Sequence, residues 1–133
     1  TVLRDGRIDY LDMSLWDVTK EPVEEEFQGR SLMSYFTELD RGEVRLGVAG
    51  KIKTGARAAE MLAAGADYVL VGRGAILHHD FPERVRADPD FRPVSLPVSP
   101  EYLAREGLSP IFVQYMRNWP HFVEAEAAET TPA

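Results

Sequence analysis

The sequence contains no cysteine. Disulfides, thiolate nucleophiles, zinc ribbons and iron–sulfur clusters are thereby excluded, although the compartment is left open. It also lacks any apolar run approaching the roughly 20 residues that a membrane-spanning helix needs. Basic charge is short: 15 Lys and Arg stand against 22 Asp and Glu, for a formal net charge of −7. That balance argues against a nucleic-acid partner, which calls for a basic face. Residues 1–8 lack the charged-then-apolar order of a signal peptide, and a cytoplasmic location is expected. No Met stands at the start, so a processed or partial chain is expected as well. What is present, 44% apolar and 28% charged residues among 133, suits a globular domain with a core of its own.

Periodicity predicts an alternating order of elements. Residues 8–14 read as a strand after Gly6, and residues 15–30, with Pro22 and the acidic run at 24–26, as a solvated loop. Leu32, Met33, Phe36 and Leu39 fall at helical spacing over 31–41, with Gly42 as a stop. Val44, Leu46 and Val48 alternate as strand residues do. Thr54 is the expected cap of a helix over 55–64, with Ala58, Ala59, Met61 and Leu62 as its buried stripe and Gly65 as its stop. Residues 68–71 form a short, nearly all-apolar run of the kind found in covered parallel strands. Strand, helix, strand, helix, strand predicts an α/β fold with a parallel sheet and right-handed crossovers. A short helix is expected at 81–87. Clustered prolines mark a linker over 88–99, and C-terminal helices follow within 100–123, over 100–107 and 110–119. Ser99 and Ser109 cap them, each before a proline. Residues 124–133 read as a disordered acidic tail.

Two strand ends carry glycine followed by a cation: Gly50-Lys51 and Gly72-Arg73. In a parallel α/β fold both lie on the carboxyl-end rim of neighbouring strands. Glycine lets a backbone approach a ligand closely, and the exposed N–H groups of such turns suit an anion. The Arg73 guanidinium matches a phosphate with two parallel hydrogen bonds. Paired turns of this kind bind phosphate after strands seven and eight of many eight-stranded α/β barrels. His78 and His79 read as surface or packing histidines, because adjacent side chains do not converge easily on one ion. No metal ligand set is expected.

The stretches Gly47-Val48-Ala49-Gly50-Lys51-Ile52-Lys53-Thr54, then residues 64–74 with Ala-Gly-Ala-Asp leading into Gly72-Arg73-Gly74, then Asp80-Phe81-Pro82, resemble the last two strand–loop units of the Old Yellow Enzyme family. These are NAD(P)H-dependent flavin oxidoreductases, or ene-reductases. The resemblance covers roughly residues 5–86. It implies the C-terminal portion, about strands six to eight, of a TIM barrel over 1–87, with FMN as cofactor and NAD(P)H as reductant. Gly50, Lys51, Gly72 and Arg73 match the turns that grip the FMN phosphate, and Ser14 matches a strand-end serine near the flavin. The acceptor would be a small molecule such as an activated alkene. Residues 114–119 are similar to a C-terminal motif of one subgroup, in which an arginine, here Arg117, reaches a neighbouring subunit's active site. As a plain helix-surface cation, Arg117 needs no such role. His78-His79 departs from the family's usual residues before the acidic position.

No catalytic residue of the family is located in this stretch. The chain by itself is therefore expected to lack ene-reductase activity and to bind FMN weakly or not at all. An open apolar face, carrying Val48 and Val69, is expected to drive homo-oligomerisation or association with the remainder of a barrel. Two alternatives stay open. One is the phosphate-binding end of another β/α barrel, such as a dihydrouridine-synthase-like or isomerase-like enzyme. The other is a non-catalytic α/β binding module.

Overall fold

The computed structural model describes residues 2–126. The fold is α/β. Strands β1 (Tyr10–Ser14), β2 (Arg45–Ala49) and β3 (Tyr68–Leu70) form one parallel sheet in that order. Parallel neighbours need a crossover, and α1 (Leu32–Thr37) and α2 (Gly55–Ala63) supply the two crossovers. Beyond β3 come α3 (Arg73–Leu77), α4 (Phe81–Ala87), α5 (Pro100–Arg105) and α6 (Pro110–Met116). The register sets Ser14 opposite Ala49 and Ala49 opposite Leu70, so the three strands end level with one another.

Local chemistry accounts for the boundaries. The Thr54 side chain accepts the Arg57 N–H, and Ser99 and Ser109 do the same for Tyr102 and Phe112. Each side chain satisfies one N–H that the first helical turn leaves without a partner. Pro100 and Pro110 follow at positions where a missing N–H costs nothing. After α2 the chain turns at Gly65, φ +112°. Several elements are shorter than their periodicity suggests. The first strand starts at Tyr10 and the first helix ends at Thr37. The last helix ends at Met116, three residues before Trp119.

The core lies between one face of the sheet and the crossover helices. Met13, Leu46 and Val48 project into it and meet Met33 of α1 and Met61 of α2. Leu46 and Val48 are fully buried, and burying each is worth about 1.5–3 kcal/mol. This corrects two expectations. Val48 does not line an open face, because alternation places it under the helices. In α2, Met61 is buried and Ala58 half-buried, but Ala59 and Leu62 are exposed. The other face of the sheet carries Tyr10, Asp12, Ser14 and Tyr68. The Tyr68 hydroxyl donates to Asp12 at 2.5 Å, which pushes its pKa up to about 12. Its ring crosses Gly47, where a Cβ would stand 2.4 Å from the ring. The open face is thus an aromatic and polar surface, not the apolar one expected.

A second apolar cluster joins Leu77 of α3 to Leu103, Val113, Met116 and Phe122. It folds the C-terminal helices back onto the end of the sheet unit. The proline-rich stretch is extended but anchored: the Val94 N–H donates to His78 Nε2, and Val98 bridges to Val123. Glu124 is tied in as well, its N–H donating to the Val98 carbonyl. The rest of the expected tail, 127–133, lies outside the described residues. Among the described residues no helix is long and apolar enough to cross a membrane.

Candidate functional site

The carboxyl ends of the three strands open into one cleft of about 280 Å³. Ser14 reaches it from β1, Gly50 and Lys51 from the turn after β2, and Gly72 and Arg73 from the turn after β3. The four residues singled out in the sequence for a cofactor phosphate, and Ser14, singled out as near the flavin, are therefore brought together. Lys53 and Gly74 also line the cleft, and among the described residues no carboxylate does.

The two glycines are required for different reasons. At Gly50, φ is +148°, and a Cβ would stand 2.8 Å from the Asp17 nitrogen and 2.9 Å from the Trp16 carbonyl carbon. The loop after β1 packs directly on this turn, with the Leu15 N–H donating to the Ala49 carbonyl and the Val18 N–H to the Gly50 carbonyl. At Gly72 a Cβ would meet nothing within 4 Å. That position is open toward the cleft, so packing does not explain the absence of a side chain.

Among the described residues no hydrogen bond engages the N–H groups of Gly50, Lys51, Gly72 or Arg73. Their donors remain available to a ligand. The cations differ. Lys51 Nζ pairs with Asp17 Oδ2 at 2.9 Å. The Thr19 hydroxyl first, and Lys51 second, hold the Asp17 carboxyl far below the usual carboxylate range. Lys51 is thus a neutralised charge whose backbone, at φ +53°, presents the N–H. Arg73 is half-buried and makes no ion pair among the described residues. With Lys53, which likewise makes no ion pair among the described residues, it is free to meet an anion in the cleft.

Two tryptophans border the cleft without having been singled out in the sequence. Trp16, 79% exposed, stands two residues beyond Ser14 at φ +61°. Trp119 arrives from beyond α6, its ring edge-on to Tyr115 at 5.1 Å. The sequence signals are the strand-end position of Trp16 and the place of Trp119 at the end of the motif over 114–119. Arg117 is engaged within its own chain: it donates to the Glu124 carbonyl at 2.7 Å and to Gln114 Oε1 at 3.1 Å.

His78, Asp80 and Glu106 bring three potential ligand atoms within 4.8 Å of one another. His78 is buried, and burial first, Arg84 second, pull its pKa down. Its Nε2 accepts the Val94 N–H, so in the neutral ring Nδ1 carries the proton and faces the Tyr102 hydroxyl at 3.3 Å. No lone pair is left for a metal. Glu106 accepts from both the backbone N–H and the ring of the exposed His79, which raises the His79 pKa, and Asp80 accepts from Arg84. These groups fasten α5 to the segment between α3 and α4.

No family model, curated protein or solved structure matches this chain.

Proposed function

We propose that the cleft holds the phosphate of FMN, and that the chain is the phosphate-binding segment of an NAD(P)H-dependent flavin oxidoreductase that reduces activated alkenes or related acceptors. The observation that carries this reading is the convergence of Ser14, Gly50, Lys51, Gly72 and Arg73, from three strand ends, on one cleft without a carboxylate. The residues fit a phosphate. Open N–H groups at two turns, an unpaired guanidinium and a side-chain-free approach at Gly72 are what a dianion requires. The exposed Trp16 ring offers an apolar surface beside them.

FMN, when bound, supplies the hydride transfer between NAD(P)H and the acceptor. The residues of this chain bind and orient it. Arg73 would hold the phosphate through its guanidinium, and the backbone N–H groups of both turns would donate to it. Ser14, at the end of β1, would contact the flavin or its ribityl chain. The outer edges of β1 and β3 are unpaired among the described residues. Such edges take further strands, consistent with a unit of a larger β/α barrel.

The test compares two substitutions by FMN titration of the full-length flavoprotein. Arg73→Ala removes a free bidentate clamp and weakens FMN by roughly ten- to a hundredfold. Lys51→Ala removes a charge already held by Asp17 and changes affinity less. Equal loss in both variants, or none in Arg73→Ala, contradicts the reading.

A further inference from the structure

Beyond Arg73, on the side away from Ser14, lies a second cavity of about 440 Å³. Its floor is apolar, made by the buried side chains of Leu77 and Phe122 with half-buried Val94. Its mouth carries Arg92, Lys53 and Leu96, all exposed, and Arg73 closes one wall. Among the described residues no carboxylate lines it. Elsewhere in this chain of net charge −7, Arg4, Arg30, Arg41, Arg57 and Arg84 each hold an acidic side chain. Arg73, Arg92 and Lys53 have no such partner among the described residues. Three uncompensated cations around one concave apolar surface create a local positive potential that attracts an anion.

We propose that this cavity is a second binding site, taking an amphipathic organic anion with a carboxylate head on an alkyl or aryl body. The head meets the Arg92 guanidinium, whose planar fork matches a carboxylate, with Arg73 and Lys53 adding charge. The body covers Leu77, Val94, Leu96 and Phe122. The volume lies in the range of small-molecule pockets, and a mostly apolar lining with a few convergent polar groups is their usual make-up. The wall is set in advance. The Val94 N–H is held by His78 Nε2 at 3.0 Å, and the Val98 N–H by the Phe122 carbonyl at 3.0 Å. Little ordering of residues 92–98 remains to oppose binding.

The experiment is a two-dimensional amide NMR titration of the whole chain with 4-phenylbutyrate. The neutral 4-phenylbutanol and inorganic phosphate serve as controls for body and charge. Saturable shifts are expected at Arg92, Val94, Leu96 and Phe122. The alcohol should bind at least about tenfold more weakly, as should the acid to Arg92→Ala, the loss that follows from one charge-assisted hydrogen bond. Leu96→Asp, which sets a carboxylate in the mouth, should weaken the acid similarly. Both positions are exposed, and amide dispersion verifies that each variant is folded. Equal binding of acid and alcohol, unchanged affinity in Arg92→Ala, or shifts confined to other residues would overturn the proposal. Arg92, Leu96 and Phe122 do not border the strand-end cleft. FMN shifts at Gly50 and Gly72 therefore stay unchanged in Arg92→Ala, and failure here is separable from failure of the flavin reading.

Discussion

Gly50 and Gly72 occupy equivalent turns, yet replacing each by alanine has opposite consequences for stability. At Gly50 the new Cβ meets backbone atoms of Trp16 and Asp17 at 2.9 and 2.8 Å, closer than real Cβ contacts come, and φ is +148°. Neither neighbour is the end of a flexible side chain, so the loop after β1 must move. Residence in a backbone region that L-residues avoid costs roughly 1–3 kcal/mol, and overpacking costs roughly 1–3 kcal/mol more. Gly50→Ala should therefore lose about 2–6 kcal/mol. With a urea m-value of about 2 kcal/mol/M, the middle of the usual range, the midpoint falls by roughly 1–3 M. At Gly72 φ is −89° and the Cβ meets nothing, so Gly72→Ala should stay within about 1 kcal/mol of the parent. Its methyl group instead enters the cleft, and phosphate or FMN binding weakens while the fold is kept. Urea unfolding followed by tryptophan fluorescence gives the first comparison, and ligand titration the second. The reasoning fails if Gly50→Ala is as stable as the parent, or if Gly72→Ala binds phosphate as the parent does.

Asp67, immediately before β3, clamps the neighbouring strand β2. Its Oδ2 accepts the Leu46 N–H at 2.7 Å and pairs with Arg41 at 3.2 Å. Leu46 is fully buried, so Asp67→Ala strands a buried donor and should cost about 1–3 kcal/mol, with Asp67→Asn recovering part of it by urea unfolding. The Leu46 hydrogen bond also holds the Asp67 pKa down, so this contribution is present above the ordinary carboxylate range and fades as pH falls through the lowered value. His78 has a pKa lowered by burial. Its unfolded form binds protons first, so its stabilisation is whole above about pH 6.5 and is lost as pH falls from there toward the folded value. The stability difference between the parent and His78→Gln, which keeps an acceptor for Val94 but does not titrate, should shrink between pH 7.5 and pH 5. A difference that does not change with pH refutes this.

The elements legible in the sequence are those specified by local chemistry. Thr54, Ser99 and Ser109 act as caps because a hydroxyl three residues before a free N–H is a short-range device, and both glycine turns follow strands whose alternation is equally local. What escaped depends on distant partners. The helix Arg73–Leu77 is little more than one turn and contains a glycine. It holds because Gly74 is packed by Phe81, where a Cβ would stand 3.3 Å from the ring, and because Leu77 enters the C-terminal cluster. Strand alternation showed that Val48 and Gly47 face opposite ways but not which way the helices lie. Trp119 reaches the cleft only because Met116 and Phe122 pack beneath α3's Leu77. Arg92 gains its place because a buried histidine sixteen residues earlier anchors the proline-rich segment at Val94.

The assignment of the strand-end cleft to a flavin phosphate is tested most directly by comparing FMN with riboflavin, which differs only by the phosphate, in an amide NMR titration of the full-length flavoprotein. The amides of Gly50, Lys51, Gly72 and Arg73 should shift with FMN, and inorganic phosphate should compete. Riboflavin should leave these four unmoved, and Arg73→Ala should abolish most of the FMN response. Equal shifts with riboflavin, or FMN shifts confined to residues away from the two turns, would contradict the assignment.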